Sequence, residues 1–119
     1  MTLKLRTIRA FEAIGARWPD DDSLALALGG AAVQCESDHT AGIVCDVMPD
    51  TALMLRNAKL MVLLCNAAGW EESDPWIARE LRAARTQARR SVKMVGALTL
   101  TLSVDWPPRL IMLKIEERV

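Results

Sequence analysis

Apolar positions in residues 3–18 recur at spacings of three and four. Leu5, Ile8, Phe11, Ile14, Gly15 and Trp18 share one helical face, with Lys4, Arg6, Arg9, Glu12 and Arg17 mostly between them. That is the pattern of an amphipathic helix. Trp18-Pro19 predicts its end, because the proline ring pushes the preceding residue away from helical angles.

Two periods overlap in residues 24–36. Leu24, Leu26 and Leu28 alternate as in a strand, while Leu24, Leu28, Ala31 and Cys35 also fit a helix face. Gly29-Gly30 favours a hairpin, since the pair costs ~2 kcal/mol relative to alanines inside a helix and suits a tight turn. Residues 42–48 predict a third strand, closed by Pro49-Asp50. Asp50 can cap a helix over 51–68, and Gly69 stands where a helix-ending glycine belongs. Arg56, Asn57, Lys59 and Asn66 form only a narrow polar stripe on it, so this helix is expected to be largely buried.

Glu71-Glu72-Ser73-Asp74-Pro75 predicts another helix start, with Asp74 as cap and Pro75 at the first helical position. Ile77, Leu81, Ala84, Ala88 and Val92 extend its apolar face to about Val92. In residues 97–104, Leu98, Leu100, Leu102 and Val104 alternate with Thr99, Thr101 and Ser103, the mark of a half-buried antiparallel strand. After a turn over 105–108, residues 110–115 predict the last strand, with Ile111, Leu113 and Ile115 towards the core.

The order of elements is therefore helix, hairpin, strand, helix, helix, hairpin. It predicts a two-layer α+β fold, with an antiparallel or mixed sheet of about five strands packed against two to three helices. The order resembles that of small homodimeric secretion chaperones, which also combine helices with an antiparallel sheet. The helix over 75–92 departs from their order, and no residue role is carried over.

The chain has 119 residues, 51% hydrophobic and 25% charged, with 15 basic and 15 acidic residues. One domain spanning 1–119 fits this length, and the composition excludes a disordered chain or a disulfide mini-protein. Bases interrupt the N-terminal apolar residues, and the apolar run Leu60–Cys65 is too short for a membrane span. A cytoplasmic chain without membrane contact is expected, with Cys35, Cys45 and Cys65 as reduced thiols.

Charge is unevenly spread. Residues 20–50 carry seven acids and no Lys or Arg, whereas residues 75–93 sum to +5. On a helix over 75–93, Arg79, Arg82, Arg89 and Lys93 share a face, with Arg85 and Arg90 beside them and only Glu80 opposing. Like charges so spaced repel, so an acidic partner, nucleic-acid phosphate or the chain's own acids should answer them. Asp20, Asp21 and Asp22 form the densest part of the acidic segment and are the matching candidates for basic surfaces. Against nucleic acid stand a pI near 6.6 and the lack of a zinc-finger or RNP signature.

Cys35, His39, Cys45 and Cys65 are zinc-type ligands, but the spacing lacks a tight Cys-x-x-Cys pair. A hairpin turning near residue 40 would set Cys35 opposite Cys45. Cys35 with His39 could also serve as nucleophile and base, though they stand only four residues apart. Small buried thiols are the simpler expectation. Asp20-Asp21-Asp22 lacks the alternating spacing of a calcium loop. Trp18, Trp70, Trp76 and Trp106 fall at element ends, where they serve either the core edge or an interface.

No catalytic constellation emerges, and no cofactor is implied. The expected function is a non-enzymatic protein-interaction module (inhibitor, adaptor or chaperone-like) with a charge-bipolar surface. It would act on another protein, with a homodimer compatible. The alternatives are nucleic-acid binding through the basic helix 75–93, and a thiol- or zinc-dependent enzyme.

Overall fold

Among the described residues six strands form one sheet in the order β1-β2-β3-β6-β5-β4, and every pairing is antiparallel. The elements are α1 (Leu3–Ala13), β1 (Ala25–Ala27), β2 (Ala31–Ser37), β3 (Thr40–Asp46), α2 (Thr51–Ala67), α3 (Asp74–Ala83), β4 (Arg89–Val95), β5 (Leu98–Asp105) and β6 (Leu110–Glu117). This computed structural model describes residues 1–18, 25–27, 31–46, 51–84, 87–105 and 110–119, with side chains omitted at 25–27 and 51–53. The expected α+β fold with an antiparallel sheet is observed, with six strands among the described residues.

Register explains where the core sits. Val33 pairs with Ile43, Ile43 with Leu113, and Leu113 with Leu102, so one row of apolar side chains crosses four strands. A second row runs Ala31, Cys45, Ile111, Val104. All eight residues are buried. α1 and α2 lie against β3, and α3 lies against α2. The opposite sheet face carries Gly42, Val44, Thr99, Thr101, Ser103, Met112 and Lys114, all half-buried or exposed. One apolar and one polar face is what the alternation in 97–104 predicts, because successive strand side chains point to opposite sides.

Residues 25–27 and 31–37 pair antiparallel, which supports the hairpin over the helix for this stretch. The next hairpin turns at Asp38–His39, joining Ser37 to Thr40, and a register shift follows between Gln34 and Ser37. Cys45 therefore pairs with Ala31, and the expected Cys35–Cys45 opposition is not formed.

Two expected helix faces rotate. In α1 the buried side chains are Leu3, Thr7 and Phe11, while Leu5 and Ile14 are exposed. Thr7 can be buried because its hydroxyl donates to the Leu3 carbonyl at 2.8 Å, satisfying a polar group that would otherwise be costly. In α2, Asn57 leaves the expected polar stripe and is 2% exposed. Its amide donates to the Asp46 carbonyl at 3.5 Å and its side-chain oxygen accepts from Arg56 at 3.0 Å. Leu60, Met61, Leu64 and Cys65 supply the expected buried face.

α1 stops at Ala13, five residues before the expected end at Trp18. Gly15 takes φ +92° and its N–H reaches the Glu12 carbonyl, while that of Ala16 reaches Phe11. Gly69, at φ +101°, ends α2 in the same way, with Gly69 and Trp70 donating to Asn66 and Cys65. In both, a glycine with positive φ turns the chain back onto the last orphan carbonyls.

The largest correction concerns residues 75–92. α3 ends at Ala83, and β4 occupies 89–95. Gly96, with φ +56°, opens a two-residue turn, and Val95 pairs with Leu98 across it. A glycine with positive φ at the first turn position suits the twist of a tight hairpin. Arg118 donates from its backbone to the Ala97 carbonyl and from its side chain to the Gly96 carbonyl, holding that turn. Ala and Arg favour helices in isolation, but hydrogen bonding to β5 claims this segment for the sheet.

Candidate functional site

The basic cluster divides between two elements. Arg79 and Arg82 lie exposed on α3, and Arg89, Arg90 and Lys93 lie on β4. The continuous helical ridge expected over 75–93 is not formed. Arg85 and the acidic trio Asp20, Asp21 and Asp22 fall outside the described residues.

Among the described residues β4 is an edge strand, hydrogen-bonded to β5 alone. Each of its residues has an identifiable direction. Arg89, Ser91, Lys93 and Val95 pair with Val104, Leu102, Leu100 and Leu98, which places them on the core-side face. Arg90, Val92 and Met94 pair with Ser103, Thr101 and Thr99 and lie on the open face. The apolar rows of the core thus stop at β5 and give way to Arg89, Ser91 and Lys93. On the open face Val92 and Met94 are 56% and 63% exposed, and on the core-side face Arg89 and Lys93 are exposed, so both faces of β4 meet solvent.

One cation of the cluster is answered inside the fold. Glu80 on α3 is buried and accepts from the Arg89 guanidinium at 2.6 Å. That hydrogen bond, chiefly, holds the Glu80 carboxyl below its ordinary range, and it raises the Arg89 value in turn. Arg90 and Lys93 make no ion pair among the described residues. Next to Arg90 the open face forms a broad depression of about 620 Å³, bordered also by Thr101, Ser103, Asp105, Met112 and Lys114.

Arg6 and Glu117 make a second polar junction, one that periodicity does not disclose. Arg6 donates to Glu117 at 2.6 Å, to the Ala67 carbonyl at 2.8 Å and to the Met1 carbonyl at 2.6 Å. His39 Nδ1 lies 3.3 Å from the other Glu117 oxygen. Arg6, first, and His39 hold the Glu117 carboxyl low. The junction ties α1, the end of α2, the β2–β3 turn and β6 together, a structural role.

The cysteine readings fare differently. Cys35, Cys45 and Cys65 are all buried and free, and burial pushes each thiol up to about 11. Such thiols hold almost no thiolate at neutral pH, and thiolate is the nucleophile and the metal ligand. His39 engages Glu117 through Nδ1. Among the described residues no group of three or more His, Cys, Asp or Glu side chains could hold a metal ion. Trp70 and Trp76 pack at 5.6 Å between ring centroids, and Trp18 donates its indole N–H to the Ile8 carbonyl at 3.4 Å. Those three serve the core edge; Trp106 lies outside the described residues. Among the described residues no helix is long and apolar enough to cross a membrane.

No family model, no curated protein and no solved structure matches this chain.

Proposed function

We propose that the protein is a non-enzymatic protein-interaction module, of inhibitor, adaptor or chaperone type, with β4 as its working edge. The observation that carries this reading is a seven-residue edge strand whose Arg90 and Lys93 make no ion pair among the described residues, beside exposed Val92 and Met94. A long edge offers unpaired backbone donors and acceptors, and exposed apolar side chains next to it gain by burial. The acid-rich segment 20–50 supplies the opposite pole in sequence.

The test is quantitative affinity capture with the wild-type chain and a R90E/K93E variant as baits, at about 50 and 500 mM salt. Surface charges more than a Debye length apart are screened at high salt. Partners retained by wild type at low salt and lost from both the variant and the high-salt arm support the reading. Identical recoveries from both baits at both salt concentrations would overturn it.

A further inference from the structure

Resting on that reading, we infer that β4 takes an extended acidic polypeptide segment as an added antiparallel strand. The partner is then identified by side-chain order as well as by charge. An exposed edge recruits through main-chain hydrogen bonds, and alternate side chains supply specificity. Antiparallel addition continues a sheet in which every pairing is already antiparallel.

The register along β4 dictates what each added residue faces. Val95 and Met94 call for apolar neighbours, Lys93 for a carboxylate, Val92 for an apolar residue, and Arg90 for a second carboxylate. Ser91 is permissive. Read from its own N-terminus, the added segment runs apolar, apolar, acidic, apolar, any, acidic. Arg89 stays with Glu80 and asks for nothing. Opposite charges and apolar pairs directly across a strand pair each contribute about 0.2–1 kcal/mol.

Charge also decides against a second copy of β4 as occupant. A two-fold pairing centred on Ser91 opposes Arg89 to Lys93, and one centred on Lys93 opposes that residue to itself. A pairing centred on Val92 avoids direct opposition but gathers Arg89, Arg90 and Lys93 of both copies in one seam. Like charges across strands are destabilising. An acidic segment meets the same edge without that repulsion.

The experiment measures binding of the full-length chain to a soluble peptide with the core Val-Val-Glu-Val-Thr-Glu, by calorimetry or fluorescence anisotropy. Circular dichroism checks that each variant keeps its fold. The peptide should bind wild type at least tenfold more tightly than its Glu-to-Lys counterpart. R90E/K93E should invert that preference. Backbone N-methylation at alternate residues should abolish binding in one of the two staggered series and spare the other, since only every second residue of an added strand points its amide at β4. Equal binding by both N-methylated series, or no preference between acidic and basic peptides, would overturn the proposal. So would displacement of the peptide by a single-stranded oligonucleotide with no effect of N-methylation, which would assign the edge to nucleic acid. Concentration-dependent dimerisation lost in R90E/K93E would assign it to a second copy. Failure of the peptide, while the variant still loses its captured partners, removes the strand-addition inference and leaves the interaction reading standing.

Discussion

α3 and β4 follow one another in the chain and share an arginine-rich composition, yet they are held by different forces. α3 buries Trp76 and Ile77 against the rest of the core and keeps Arg79 and Arg82 in water. β4 fully buries no side chain: its seven residues are all exposed or half-buried, and among the described residues it is held by the ladder with β5, the Glu80–Arg89 bond, a Ser91 hydrogen bond to Glu80 and the packing of half-buried Val95 on the core. A segment that adds hydrogen bonds and little apolar burial is secured more weakly than one seated in the core. The same weakness leaves its outer edge available to another chain.

The sharpest way to probe this contrast is to remove matched side chains. Ile77→Ala, at a fully buried position, should cost about 2–5 kcal/mol of unfolding free energy, read as a lower urea midpoint.

Gly96→Ala tests the strand assignment through the sign of its effect. In a helix the substitution stabilises by about 1 kcal/mol. At φ +56° it forces a side chain into the left-handed region and should instead cost ~1 kcal/mol or more. A stabilised variant would contradict the β4–β5 hairpin.

The Glu80 bridge between the two elements should be visible in the pH dependence. Its carboxyl, like that of Glu117, is held below the ordinary 4.5. A carboxyl lowered by folding contributes stability that is complete above the unfolded value and lost as pH falls through the folded one. Denaturation midpoints should therefore drop as pH falls below about 4.5. Glu80→Gln should lower the midpoint at pH 7 and flatten part of that decline. Arg89 is well exposed, so water screens the pair and the effect should be smaller than that of Ile77→Ala.

Smallest of all should be Val92→Ala, Met94→Ala and R90E/K93E, each within about 0.5 kcal/mol of wild type in stability. Changes larger than that would mean β4 is packed more firmly than its exposure indicates. Their effect belongs to binding.

Much of this division was legible in residue order. Strict alternation in 97–104, and the every-second spacing of Ile111, Leu113 and Ile115, fix β5 and β6 because one face must be buried, and a slip of one residue would expose that apolar set. Gly69 marks the end of α2 because only a residue tolerant of positive φ closes that cap. Gly15 carries the same signal at the end of α1, where proline at 19 suggested a longer helix. β4 was not legible. Arg89, Ser91 and Lys93 stand where the core-side face would require apolar residues, so the strand lacks the alternation by which strands are recognised, and the helix-favouring Ala and Arg before it extend the wrong period. Residue order places the late arginines on one helix face with Glu80 opposing; the structure divides them between α3 and β4, and pairs Glu80 with Arg89. The Arg6–Glu117–His39 junction left no trace, because its members are far apart in the chain and meet only when β6 and α1 are in place.

Local chemistry, then, sufficed to establish the α+β class, the apolar faces of the central strands and the concentration of positive charge late in the chain. Those follow from short-range periodicity, propensity and counting. Which side of α1 and α2 is buried, how Cys35 and Cys45 are registered, and whether residues 89–95 form helix or strand were settled only by tertiary structure. In each case the deciding contacts lie outside the segment itself: β3 and the other core residues for the helix faces, the register of the β2–β3 hairpin for the cysteines, and the ladder with β5 for β4.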